Sequence, residues 1–160
     1  MKYAELRDRH QKEINDFPIK FAFDYQQFKQ MMKEWGLHPK RDINRIVAIK
    51  NTGGFIRRVD FPNFMDINRR HRAELRQALE NDDFFTEACI AEFANHEMCY
   101  NHYQGHYDVL TTLGFKLKDI NRENEDDYYN EPKNFDLTEH QLVLYELALM
   151  QYFKNIGTDY

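Results

Sequence analysis

The chain has 160 residues, of which 42 % are hydrophobic and 31 % charged, with only six glycines and four prolines. That length and mixture predict one globular domain over residues 1–160 and exclude a disordered, fibrous or low-complexity protein. The net charge of −5 conceals a split, with +1 on residues 1–36, +6 on residues 37–76 and −12 on residues 77–160. A chain so polarised can show a basic face and an acidic face to different partners, or to its own second copy.

No apolar run reaches the roughly 18–20 residues of a membrane span. The start Met1-Lys2-Tyr3-Ala4-Glu5 has no signal-peptide character, and Cys89 and Cys99 are too few for a disulfide scaffold. The expectation is a soluble, cytoplasmic protein with no membrane partner.

Tyr3, Leu6, His10, Ile14 and Phe17 recur at helical spacing, which predicts a surface helix over residues 2–15, stopped by Pro18. Ile19–Phe23 is a short apolar run able to add an edge strand to a sheet. Asp24 is a good N-cap for a helix over Tyr25–Trp35, ended by Gly36 and Pro39. The period then changes. Ile46–Ile49 and Phe55–Val59 flank Asn51-Thr52-Gly53-Gly54, and glycines that tolerate positive φ between β-rich runs predict a hairpin. Asp60 is placed to cap the next helix, with Pro62 in its first turn and Phe64, Ile67, Asn68, His71, Leu75, Ala78 and Leu79 on its buried face. Asp82 or Asp83 opens a helix expected to run to Tyr103 and end at Gly105. A short helix over Asp108–Leu113 closes at Gly114.

Residues 121–136 carry six acids against two bases around Tyr128, Tyr129 and Phe135, which predicts an exposed loop. Thr138-Glu139-His140-Gln141 is a capping box for the last helix. That helix is apolar nearly all round from Leu142 to Phe153. It is therefore buried on several sides or covered by a partner, with Leu142, Leu144, Tyr145, Leu149 and Tyr152 as candidate partner or homodimer contacts. The fold class is α+β and predominantly helical: five to six helices with one small β-hairpin, or a three-stranded sheet if Ile19–Phe23 joins it.

The densest set of potential ligands lies between Asn95 and His106. Zinc accepts His nitrogen and Cys sulfur at short spacings, and His96, Cys99 and His106 are the candidate metal ligands of a metal-dependent enzyme. The zincin pattern is absent, because the position one turn beyond His96 is Tyr100. At about 100° per residue, His96 falls on one stripe with Phe85, Cys89, Phe93, Tyr100 and Tyr103. This favours a buried imidazole hydrogen-bonded to a carboxylate, carbonyl or tyrosine hydroxyl, with Asn95 and Glu97 as polar partners. The chain contains no serine, which removes serine hydrolases, and Gly53-Gly54 lacks the ending of a phosphate loop. No cofactor is called for.

Arg69, Arg72 and Arg76 recur at i, i+3 and i+7, Arg57 and Arg58 leave the hairpin, and Lys50 lies across its turn. Arginine forks suit phosphates, so these six are the candidate nucleic-acid or partner contacts. The overall acidity argues against a dedicated duplex-DNA binder.

Phe21-Ala22-Phe23 with Gln27-Phe28, then Gly53-Gly54-Phe55-Ile56-Arg57, Asn95-His96-Glu97 and Leu113-Gly114 follow one another over residues 19–115. In this order they resemble an uncharacterised family of small proteins from bacterial mobile elements and phages, in which an aromatic commonly follows His-Glu where this chain has Met98. The resemblance implies no reaction. It implies a context in which small proteins bind host machinery, CRISPR effectors included. The functional expectation is a non-enzymatic protein that engages a host protein or nucleoprotein, with RNA contact, as a counter-defence inhibitor. A metal-dependent enzyme and a structural homodimeric accessory protein are the alternatives.

Overall fold

The computed structural model describes residues 1–100, 104–118 and 131–158, and among these, alternating and helical periodicities give six α-helices and a small sheet. The fold is α+β and predominantly helical. In chain order among the described residues come α1 (Tyr3–Asp16), β1 (Lys20–Phe21), α2 (Tyr25–Glu34), β2 (Ile46–Ile49), β3 (Gly54–Arg57), α3 (Phe61–Ala78), α4 (Asp82–Asn95), α5 (Gly105–Thr112) and α6 (Glu139–Asn155). The chain clusters into two compact units, a first of Met1–Leu6 with Arg72–Tyr160 and a second of Arg7–His71.

In the Arg7–His71 unit the sheet has the order β1-β3-β2, all antiparallel. The anticipated hairpin is present, with Ile46 opposite Arg57 and Ile49 opposite Gly54, and the anticipated third strand pairs Phe21 with Gly54. Asn51 and Gly53 take φ of 64° and 70°, the left-handed conformation that a tight turn between strands demands. Asp24 caps α2 by accepting from the Gln27 amide at 2.8 Å. Met31, Met32 and Ile46 form a small buried cluster, with Ala22, Phe28, Trp35, Leu37 and Phe55 packed around it.

Asp60 does not cap α3. It lies in a 3-10 turn, Arg58–Asp60, and accepts from Arg57 Nε at 2.8 Å, so the helix opens at Phe61 without it.

The other unit is held by a large cluster that numbers nineteen buried side chains among the described residues, including Phe85, Phe93, Phe135, Tyr145 and Leu149. Its central contact is α4 against α6, where Phe93 meets Tyr145 edge-on at 5.1 Å. Asn81, one residue before the anticipated Asp82, caps α4 by accepting from the Phe84 amide at 2.9 Å. The helix stops at Asn95 rather than Tyr103. Glu97 adopts φ of 49°, and the Met98 amide turns back to the Phe93 carbonyl at 2.9 Å, which buries Met98 and leaves Tyr100 exposed. Gly105, expected to end that helix, instead begins α5. Gly114 closes α5 at φ of 89°, as its position in the sequence suggested.

The loop expected over residues 121–136 is only partly described. Tyr128 and Tyr129 lie outside the described residues, and the end of the segment is not loose. Phe135 is fully buried, and Leu117 bridges to it. Asp136 fixes the same join, since its carboxylate accepts from the Lys116 amide at 2.7 Å. The capping box of α6 forms as read: Thr138 accepts from the Gln141 amide and Gln141 Oε1 accepts from the Thr138 amide, both at 3.1 Å.

Candidate functional site

The charge split sharpens when it is counted by unit. Arg7–His71 carries fourteen Lys and Arg against eight Asp and Glu, a net +6, and the rest of the chain sums to −11. Any site for an anion is therefore sought first in the basic unit.

Several of the cations singled out from sequence already have partners. Arg57 pairs with Asp60, and Arg58 Nε donates to the Asn44 carbonyl at 2.5 Å, which ties the exit of β3 to the entry of β2. Arg69 lies 3.2 Å from Asp66 on the same exposed face of α3. Arg72 and Arg76 are exposed further along α3, within the acidic unit. Lys50 is exposed in the hairpin turn and makes no ion pair among the described residues. Sequence spacing missed others in the same condition within the basic unit, among them Lys33, Lys40, Arg41 and Arg45. They occupy the end of α2 and the connection to β2, where no helical stripe advertises them.

The aromatic residues of this unit were also missed. Phe21, Phe23 and Tyr25 alternate along β1 and the segment after it, and they are 55 %, 74 % and 55 % exposed. The Phe21 and Phe23 rings lie nearly parallel, 12° apart in plane, with centroids 6.3 Å apart. Lys29 stands over the Tyr25 ring at 5.1 Å from its centroid. The only sequence clue was the period-two placement of three aromatics, which reads equally as a buried strand.

A second polar group in this unit brings His10 and His71 into a stack at 3.9 Å. Glu13 accepts from His71 Nε2 at 2.6 Å and pairs with Arg70. The His71 hydrogen bond, with Arg70 beside it, holds the Glu13 carboxyl below the usual carboxylate range.

The His96 region is dispersed by the early end of α4. His96 becomes the residue after the helix, half exposed, with Nε2 3.1 Å from Thr112 Oγ1 and 3.4 Å from Glu92 Oε2. Its carboxylate partner is Glu92, not Glu97. Glu92 is 1 % exposed and takes the Tyr3 hydroxyl at 2.5 Å and Asn95 Nδ2 at 3.1 Å. His106 faces a different neighbour, with Nδ1 2.8 Å from the Tyr145 hydroxyl. Burial pushes the His106 imidazole down to about 4 and pushes the buried Cys89 thiol up, which makes that thiol a poor nucleophile. Among the described residues no three His, Cys, Asp or Glu side chains gather as a metal-holding group, so His96, Cys99 and His106 do not form the ligand set considered for them.

The interface residues assigned to α6 divide in two. Tyr145, Leu149 and Tyr152 are buried in the chain's own core, and Leu142 and Leu144 pack half-buried against it. The large apolar side chains that α6 does leave exposed are Val143, Leu147 and Met150. Among the described residues no helix is long and apolar enough to cross a membrane.

No curated protein and no solved structure matches the chain. The model of a family of unknown function, DUF7659, matches residues 2–127, and the chain belongs to that family.

Proposed function

We propose that the protein is a binding protein rather than an enzyme, and that it engages a nucleoprotein through the nucleic-acid strand. The observation that carries this reading is the concentration of net +6 in Arg7–His71, together with exposed Lys33, Lys40, Arg41, Arg45 and Lys50 that lack acidic partners among the described residues. Unpaired cations on a small surface attract phosphates and release counterions on binding. The acidic unit would repel the same strand, which suits a protein that docks on a nucleoprotein better than one that coats long nucleic acid. The resemblance to mobile-element proteins adds a context, in which the target is a guide-RNA effector of host defence such as a CRISPR complex.

The test is fluorescence anisotropy with a labelled single-stranded RNA across a salt series. Binding should weaken as salt rises, with a logarithmic slope of about −0.7 for each phosphate neutralised. The Arg41→Glu, Arg45→Glu, Lys50→Glu triple variant should bind at least about tenfold more weakly and with a shallower slope. Full affinity in a folded triple variant would show that these cations are not the contact.

A second reading is favoured by one observation, the exposed apolar stripe Val143, Leu147 and Met150 at i, i+4 and i+7 of α6. It is the face through which two copies would associate. Light scattering decides it, since a monomer at micromolar concentration removes the homodimer.

A further inference from the structure

The basic unit holds its most exposed aromatic rings on a seat made of glycine. Strand alternation sends Phe21 and Phe23 to one face, and Ala22 between them packs toward the Met31, Met32 and Ile46 cluster on the other. Phe21 lies opposite Gly54 in the ladder, and the Ala22 amide donates to the Gly53 carbonyl at 3.0 Å, which carries the pairing past the end of β1. Both rings then rest where side chains are missing. A Cβ on Gly53 would sit 2.5 Å from Phe23 Cε1, and one on Gly54 would sit 3.2 Å from Phe21 Cε1. Gly53 is also held at φ of +70°, so a substitution there is strained whatever the space. The turn that supplies the glycines carries Lys50, and Tyr25 with Lys29 over its ring follows Phe23 by two residues.

We infer that Phe21 and Phe23, seated on Gly53 and Gly54, form a stacking platform for unpaired bases of single-stranded nucleic acid, with Lys50 and Lys29 set to meet the phosphates. This rests on the reading of the basic unit as a nucleic-acid contact and names how that contact selects its ligand. Bases of a single strand are parallel to one another, and two rings 12° apart in plane present parallel faces to them. Every base has a π-face, so such a platform is tolerant of sequence, whereas a duplex keeps its faces inside the stack. Cations interleaved with exposed rings are the composition that single-strand sites use. Lysine is depleted in protein–protein interfaces, so exposed rings accompanied by Lys29 and Lys50 favour the nucleic-acid ligand.

The experiment uses the full chain with labelled twelve-nucleotide oligo(U), oligo(dT) and a duplex of equal length, at several salt concentrations. The wild type should prefer both single strands to the duplex. Phe21→Ala with Phe23→Ala should weaken single-strand binding by about five- to hundredfold per ring lost while leaving the salt slope unchanged. Phe23→Trp should retain binding and Phe23→Leu should lose it, because leucine keeps the apolar surface and removes the π-face. These side chains are exposed, and circular dichroism verifies that each variant is folded. Wild-type affinity in the folded double alanine variant overturns the platform and leaves the phosphate reading standing. Equal rescue by leucine and tryptophan overturns it in favour of a plain apolar contact, of the kind a protein partner makes. Failure of the wild-type protein to bind any of the three probes overturns the nucleic-acid reading and the platform with it.

Discussion

The two units use aromatic residues in opposite ways. In the acidic unit Phe85, Phe93, Phe135 and Tyr145 are fully buried in a cluster of nineteen side chains among the described residues, and the unit's sequence sums to −11. In the basic unit the buried cluster numbers three, and Phe21, Phe23 and Tyr25 stand outside it. Burying a phenylalanine is worth roughly 1.5–3 kcal/mol, so leaving two beside each other in water forgoes stability that the fold had available. The contrast teaches that the large apolar core lies in one unit and the exposed aromatic rings in the other, along an edge strand and the segment after it.

The sharpest way to break that comparison is to attack the polar centre of the acidic unit. Glu92 is buried with Tyr3, Asn95 and His96 around it, and Glu92→Ala leaves the Tyr3 hydroxyl without its acceptor and opens a void. It should cost about 3–4 kcal/mol in denaturant unfolding, while Glu92→Gln, which keeps an acceptor, should cost less than half of that. Equal costs for the two would show that volume rather than the hydrogen bond matters there.

Acid should act on the same unit next. The His106 value is lowered to about 4 from an unfolded value near 6.5, so the unfolded chain binds the proton first. Stability is therefore whole above pH 6.5 and lost as pH falls from 6.5 toward 4, by up to about 3 kcal/mol. A neutral imidazole can accept the Tyr145 hydroxyl proton at Nδ1 and an imidazolium cannot. His106→Gln should flatten this limb of the pH–stability curve, and an unchanged slope would assign the acid sensitivity elsewhere.

A smaller effect is expected in the basic unit. Gly53→Ala forces a non-glycine residue to φ of +70° and pushes on the Phe23 ring, and should cost about 1–2 kcal/mol. Hydrogen exchange should show it as lost protection in β2 and β3, with α4 and α6 unchanged. If α4 and α6 lose as much protection, the two units unfold as one.

Much of the local architecture was legible in the sequence. The half-buried face of α3 falls on Phe64, Ile67, Asn68, His71, Leu75 and Ala78, the positions that a 3.6-residue period selects. The Thr138 capping box and the Asp24 cap are formed by residues three apart, so neighbours alone specify them. The reading of His96 failed at its premise. A helix continuing to Tyr103 would have aligned His96 with Tyr100 and Tyr103, but Glu97 turns left-handed, and nothing in the residue type announces that. The arginine stripe shows a related limit of spacing. Spacing shows that Arg57, Arg58 and Arg69 are near one another in the chain, and not that Asp60, the Asn44 carbonyl and Asp66 already hold them.

By itself, then, the sequence determined the periods, the caps and the glycine turns, because each depends on contacts within a few residues or on one residue's allowed φ and ψ. Only the tertiary structure decided that Phe21 lies opposite Gly54 and that Phe23 covers Gly53. It also decided that the Tyr3 hydroxyl reaches Glu92. Those pairings join segments far apart in the chain. They are set by strand register and by which faces are buried together, and no local propensity encodes either.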